Sequence, residues 1–332
     1  MYVLDQESAR ALELYRRRVA ELSGVENFNA PFSVAPVPHQ KMVEAYQKTT
    51  EFLSKVNFVL VKEAHGQKLG LSGTAPIAST TDTRIMPRRP IGIGEVEGLD
   101  EYLCTKTNYD VAYLWSQIDL WAGLGDFQQR LSALAVKRIA QDKQRIGFHG
   151  THRASTSNRQ LYPNLQDVNM GWLEKIRQNS PERHINGLSL GAGQEFKNLD
   201  ALVEMAKHEL INEEHRDGTD LVVITSSSLV TDKALGLINQ LHTPTEQVAA
   251  NALYARKLLG TLPVDLPSFF PKDTLLITSY DNLSIYQQKG SVRRHLKDEP
   301  EWDRTSDYQS VNECFVVEDY SKVALIENIR VE

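Results

Sequence analysis

The sequence predicts an α+β fold, and three observations carry that expectation. Helical patterns dominate the chain as far as Leu259, whereas short β-rich runs cluster from Leu262 to the end. Helices first and strands later is an α+β order, unlike the alternation of a doubly wound sheet. A single loop from Ala64 to Asp100, rich in Gly, Ser, Thr and Pro, separates two strand-like runs. Most connections in compact domains span about four to six residues, so a loop this long serves a function or lacks structure of its own.

The first element is a helix from Asp5 to Ser23. Ala9, Leu12, Val19 and Leu22 recur at helical spacing, Asp5 suits the N-cap and Gly24 the stop. Ala30 to Pro38 carries three prolines, which argues for an extended linker. A second helix runs from Gln40 to Lys55, with Met42, Val43, Tyr46 and Leu53 on one face. Neither helix brings a partner layer, so the pair reads as an arm on a proline-rich hinge. Its exposed stretch at Ala30, Pro31 and Phe32 suits protease access, and a cut is expected between Asn27 and Val34.

Asn57 to Lys62 and Tyr102 to Leu114 read as strands, and the loop between them as a long hairpin reaching away from its domain. Trp115 to Ile146 is the longest helical pattern, striped by Phe127, Leu131, Leu134, Ala135 and Ile139 and stopped at Gly147. Shorter helices follow at Asp167–Gln178 and Leu199–Asn212, and Asp220–Thr225 reads as a buried strand. Helices are expected again at Ser228–Gln240 and Thr245–Leu259, then strands through LPVDLP, TLLITSY, LSIYQQ, VRRHL, VNECFVVED and KVALIENIRV. No internal repeat stands out.

Composition bounds the function. The chain has 332 residues, 41% hydrophobic and 24% charged, as an ordinary globular protein of one large or two modest domains does. Mean hydropathy is −0.38, and no apolar run is long enough for a spanning helix; the N-terminus lacks a secretory signal pattern. The net charge of −6 argues against a protein that grips nucleic acid through many phosphates and leaves only weak, non-specific contact. Cys104 and Cys314, the two cysteines, fit a reducing compartment and build neither a disulfide nor a zinc framework by spacing.

The constellations that could carry chemistry are thin. Gly92 to Gly98 has the wrong spacing for a dinucleotide loop and follows Arg88-Arg89-Pro90 rather than a strand. His208 and His215 are seven apart, not the four that zinc on one helix face requires. His149 and His152 have no carboxylate or cysteine close in sequence, Thr225 to Ser228 lacks a nucleophile elbow and suits a helix cap, and Gly187 to Gly193 reads as a turn between helices. No catalytic, cofactor or metal residue is assigned. The arginine pairs Arg88-Arg89 and Arg293-Arg294 carry more weight, because cationic clusters on an acidic protein suit an acidic partner surface. Arg84, Arg88 and Arg89 in the long loop are therefore candidates for contact with a neighbouring subunit.

Several blocks, in order along nearly the whole chain, resemble one family. They are Ala78–Thr83, Asp119–Ala122 with Asp126–Gln128, Leu165–Val168 with Gly171–Leu173, Asn282–Tyr286 and Val316–Tyr320. These look like the Peduovirus-type major capsid proteins of tailed bacteriophages. Leu259–Val264 and Phe270–Ile277 also resemble the wider tailed-phage capsid fold of the Hong Kong 97 type. The resemblance implies an N-terminal arm (1–55), an extended β-hairpin loop (56–113), a peripheral domain with a long spine helix (114–217), an axial domain (218–289) and return strands of the peripheral domain (290–332). It further implies a virion shell of hexamers and pentamers enclosing DNA. Such a shell is assembled in the host bacterial cytoplasm with a scaffold that doubles as maturation protease, a portal protein and, in some members, a decoration protein. No cofactor and no membrane contact is implied. A cellular nanocompartment shell of the same fold, or an α+β hydrolase, stands as the alternative.

Overall fold

The computed structural model describes residues 4–25, 30–68, 78, 80–88, 101–122, 127–191, 193–194, 196–230 and 258–331. Helix α1 (Gln6–Ser23) is bounded as its sequence dictates: the Asp5 carboxylate accepts from the Ser8 N–H at 2.7 Å, and Gly24 closes the helix at φ 72°. Strand β1 (Phe32–Ser33) precedes α2 (Pro36–Thr49) and α3 (Glu51–Lys55). Then come β2 (Asn57–Val61), β3 (His65–Gln67), β4 (Glu101–Leu103), β5 (Thr105–Asn108) and β6 (Val111–Leu114). The spine follows as α4 (Trp115–Ala122) and α5 (Phe127–His149), and then α6 (Trp172–Asn179). The next elements are β7 (His184–Leu190), α7 (Leu199–Glu209), α8 (Glu213–Arg216) and β8 (Val222–Thr225). The chain closes with β9 (Leu258–Leu259), β10 (Leu262–Asp265), β11 (Leu275–Thr278), β12 (Leu283–Gln288), β13 (Arg293–Glu299), β14 (Arg304–Val317) and β15 (Ala324–Val331).

Two sheets organise these elements. The first is built on β14, the longest strand. β13 and then β12 run antiparallel along one edge of it, and β6 and β5 along the other. β1 extends this sheet beyond β13, and β2 joins β12 in parallel. The second sheet has the order β7-β15-β11-β8-β10-β9, with parallel pairs at β7/β15 and β8/β10. Strands β8 and β11 are buried along their whole length, which explains their continuous apolar runs. The larger core lies between the first sheet and helices α1 to α6. At its centre Trp172 is fully buried against Phe52, Phe148 and Phe315, and its indole N–H donates to the Ser284 carbonyl at 3.0 Å. A second core joins α7 to the other sheet through Leu202, Val203 and Ala206.

Several expectations are corrected here. The stretch Ala30–Pro38 is not an extended linker throughout, because Pro36 and Pro38 sit in the first turn of α2, where a helix has no use for their missing N–H groups. The two N-terminal helices do have a partner layer, since Leu12, Tyr15, Val19, Tyr46 and Leu53 are all buried in the main core, and Val43 is buried as well. On α1 the buried stripe runs through Tyr15, while Ala9 and Leu22 face solvent. The helix expected from Asp167 starts at Trp172, and the strand expected over Tyr102–Leu114 is three short strands. The Gly187 turn is instead part of β7, paired with β15. Gly147 does not end a helix either: α5 runs through it to His149, and a Cβ there would stand 2.3 Å from the Trp172 ring. The glycine serves close packing. β7 and β15 belong to the sheet of β8, β10 and β11, whereas β12 belongs to that of β14. The helices expected at Ser228–Gln240 and Thr245–Leu259 lie almost wholly outside the described residues.

Glu299, at the end of β13, gives this sheet an acid-sensitive joint. Its carboxylate accepts from Tyr308 at 2.6 Å, Arg304 at 2.7 Å and Ser306 at 2.9 Å, and these partners lower its pKa from 4.5 to about 2. A lowered folded pKa means stability present above the ordinary value and lost as pH falls from 4.5 towards 2. The urea midpoint of Glu299→Gln should therefore lie below wild type at neutral pH and approach it through that window. A constant gap would contradict the assignment.

Candidate assembly surface

The residues that bracket the long loop form a fastened root. In the hairpin of β3 and β4, Gly66 faces Tyr102 so closely that a Cβ would sit 2.6 Å from the tyrosine oxygen. Tyr102 in turn packs edge-on against Tyr286 of β12, with centroids 5.1 Å apart. Lys68, buried next to the root, donates to the Val317 carbonyl at the end of β14 and lies 4.8 Å over the Tyr320 ring. The Cys104 N–H donates to the Ala64 carbonyl at 2.7 Å, tying the two limbs together. Cation, ring and backbone contacts thus fix where the loop starts and ends.

Beyond this root the described part of the loop is a turn whose hydrogen bonds close on Asp82. Its carbonyl accepts from the N–H groups of Ile85 and Met86, and its carboxylate from that of Arg84 at 3.0 Å. Arg84 and Arg88 are exposed, as are Ile85 at 79% and Met86 at 57%. Arg89, the third expected contact residue, and the Gly92–Gly98 run lie outside the described residues. Two apolar side chains beside two cations on an exposed turn suit a surface not supplied by this fold.

The other sequence-derived candidates resolve into structural roles. Arg294 is no partner-facing cation: its guanidinium makes a bidentate pair with the fully buried Asp307, at 2.9 and 2.6 Å, and donates to Tyr15 of α1 at 3.3 Å. Burial would lower the Arg294 pKa, but the Asp307 carboxylate holds that guanidinium above its ordinary value. Arg293 is exposed and donates to Ser33 at 2.8 Å, beside β1. Ala30 and Pro31 are exposed, but Phe32 is not: it is 7% exposed and pairs with Arg294 in the sheet. His149 holds the Phe269 carbonyl at 2.7 Å, His152 bonds Thr151 at 3.0 Å, and His215 pairs with Asp319 at 3.0 Å. His208 lies on α7 and His215 on α8, so they share no helix face. Thr225 donates to the Thr274 carbonyl at 2.8 Å. Among the described residues no cluster of His, Cys, Asp and Glu could hold a metal ion, and no helix is long and apolar enough to cross a membrane.

One charged centre was not anticipated. Lys143 of α5 and Glu313 of β14 form an ion pair with both side chains buried. Glu313 also accepts from Tyr109 and from Gln287, the latter at 2.9 Å, and Gln287 meets His39 of α2 at 3.1 Å. Burial pulls the pKa values of Lys143 and His39 down and pushes that of Tyr109 up, with Glu313 opposing the shift at the lysine. The signal was present in the helix: Lys143 continues the buried series Leu131, Ala135, Ile139 at four-residue spacing, a lysine on an apolar stripe. The network clamps α2, α5, β12 and β14 together. Lys143, Glu313, Gln287 and His39 are all buried, so the network fixes the body beside the loop root.

The described residues thus combine a fastened loop root, an exposed turn, the long helix α5 and buried ion pairs that serve packing. The model of the phage major capsid protein family of the P2 type matches residues 11–329, and the chain belongs to that family. It is 36% identical to the capsid proteins of Escherichia phage P2, over 99% of this chain and 96% of that protein. Its identity to the major capsid protein of Serratia phage KSP20 is also 36%, over 98% and 95%. Among solved structures, the procapsid of satellite phage P4 with its size-determination protein matches with a TM-score of 0.82 and 34% identity, covering 96% of this chain and 98% of that one. The fold is therefore the tailed-phage capsid fold, and the chain is a capsid component of the phage particle, a structural protein and not an enzyme. Family membership overturns both alternatives, the hydrolase and the cellular nanocompartment shell.

Proposed function

We propose that this chain assembles in the host bacterial cytoplasm as hexamers and pentamers of an icosahedral shell, and that the loop from residue 69 to residue 98 is its principal inter-subunit strap. The observation that carries the reading is the contrast between a root fixed by Tyr102, Lys68 and Cys104 and a turn that leaves Ile85 and Met86 exposed. On this reading Arg84, Arg88 and Arg89 meet carboxylates of the neighbouring subunit. A scaffold that doubles as maturation protease guides closure, a portal protein occupies one vertex, and a decoration protein is a further partner. The arm is processed on the N-terminal side of Phe32, where Ala30 and Pro31 are open to a protease and Phe32 is not. Co-expression with the scaffold should give closed, uniform shells by electron microscopy, and the intact mass of their subunits should show a chain shortened near Pro31. Small soluble species alone would contradict the assembly reading, and a full-length chain in infectious particles would contradict the processing.

Contact with packaged DNA is weak and non-specific on this reading. A chain of net charge −6 releases few phosphate counterions on binding. Unassembled subunits should pass through an immobilised-DNA column at physiological salt, and retention that survives high salt would refute the proposal.

A further inference from the structure

The two cysteines, far apart in sequence, meet beside the loop root. In the β5–β14 register Thr105 faces Glu313, so the next position along sets Cys104 against Cys314. The Cys104 N–H points away from β14, to the Ala64 carbonyl, while Cys314 stands opposite Tyr286 on its other edge. The two cysteines are therefore a non-hydrogen-bonded antiparallel pair. Cα atoms of such pairs lie about 4.5 Å apart, inside the ~4.4–6.8 Å window of disulfides. The Sγ atoms are 3.4 Å apart, and both residues are free thiols, 4% and 5% exposed. Cys314 lines an open cavity of about 240 Å³ together with Leu103 and Thr105, which brings a small solute up to this residue.

We propose that Cys104 and Cys314 are a latent intramolecular disulfide, closed by hydrogen peroxide or a like small peroxide after the protein leaves a reducing compartment. The timing rests on the shell reading above; the chemistry does not. The Cys314 sulfur attacks one peroxide oxygen, the O–O bond breaks, and one water leaves, giving a sulfenic acid. The Cys104 sulfur then attacks that sulfur. The S–O bond breaks, and the departing hydroxide takes the Cys104 proton as a second water. Two thiols lose two electrons, and one peroxide becomes two waters. The neighbouring thiol and burial push the Cys314 pKa up, which keeps it neutral and slows the first step. The pair thus stays reduced through folding and assembly and closes slowly afterwards. The bond would join positions 210 residues apart and rivet the loop root to β14.

The test uses the wild-type chain, both assembled and unassembled, so that failure to form shells leaves it intact. Protein purified with reductant is moved into hydrogen peroxide, denatured, alkylated and weighed. The expected result is a mass lower by about 2 Da, no alkylated thiol, and one peptide pair linked through Cys104 and Cys314. The melting temperature should rise on the order of 5 °C over the reduced form. Two thiols that remain open to alkylation, sulfinic or sulfonic products in place of the link, or disulfide-linked dimers would each overturn the proposal. An equal peroxide-dependent rise in the double variant Cys104→Ser, Cys314→Ser would overturn the stabilising role.

Discussion

Lys143→Met should destabilise the subunit by about 3–5 kcal/mol, the cost of stranding a buried partner charge. The Glu313 carboxylate would remain fully buried, with Tyr109 and Gln287 as its remaining donors. Methionine nearly matches the lysine stem in length, so the loss reports charge and not volume. Adding Glu313→Gln should recover much of it, because glutamine keeps an acceptor for the Tyr109 hydroxyl and carries no charge. The sign of the pH dependence follows from burial. A stranded carboxylate in the core has a folded pKa above its unfolded value, so the single variant should gain on wild type as pH falls. Urea unfolding of unassembled wild-type, single and double variants measures all three quantities. A double variant as unstable as the sum of the singles would show that the pair is not coupled.

Replacing residues 69–98 by a short Gly-Ser turn should leave a folded subunit that forms no shells. The segment has few large apolar residues among its Gly, Ser, Thr and Pro, and an isolated hairpin is marginal in water. What the deletion keeps is the root: the β3–β4 pairing, the Tyr102–Tyr286 contact and Lys68 against Val317. Each exposed arginine–carboxylate contact is worth only about 0–1 kcal/mol, yet a closed shell repeats it in every subunit. Circular dichroism should stay near wild type while sedimentation shows only small species. Shells of normal size from the deletion would show that the loop is not an assembly element. Loss of the fold would show that it packs on its own domain.

Legibility in the sequence followed the range of the interactions. Helix α1 was readable at both ends because Asp5 and Gly24 act within one turn. The face of α7 and the buried runs of β8 and β11 were readable for the same local reason. Pro36 and Pro38 misled because a proline cluster excludes a helix interior but not its first turn. Gly147 misled because its reason is the Trp172 ring, distant in sequence until α5 and α6 pack. Arg294 read as a surface cation because Asp307 and Tyr15, which bury it, come from another strand and the first helix. The candidate assembly surface was legible as a loop too long and too polar to fold alone. The fastening of its root by Tyr102, Tyr286 and Lys68 is a product of the sheet and had no local signature.

The central claim is that the segment from residue 69 to residue 98 reaches a neighbouring subunit. A reconstruction of the assembled shell at side-chain resolution tests it most directly. The account predicts density for this segment across the adjacent subunit, with Arg84, Arg88 and Arg89 within ion-pair distance of that subunit's carboxylates. A hairpin folded back on its own β2 and β12, with those arginines facing solvent, would contradict it.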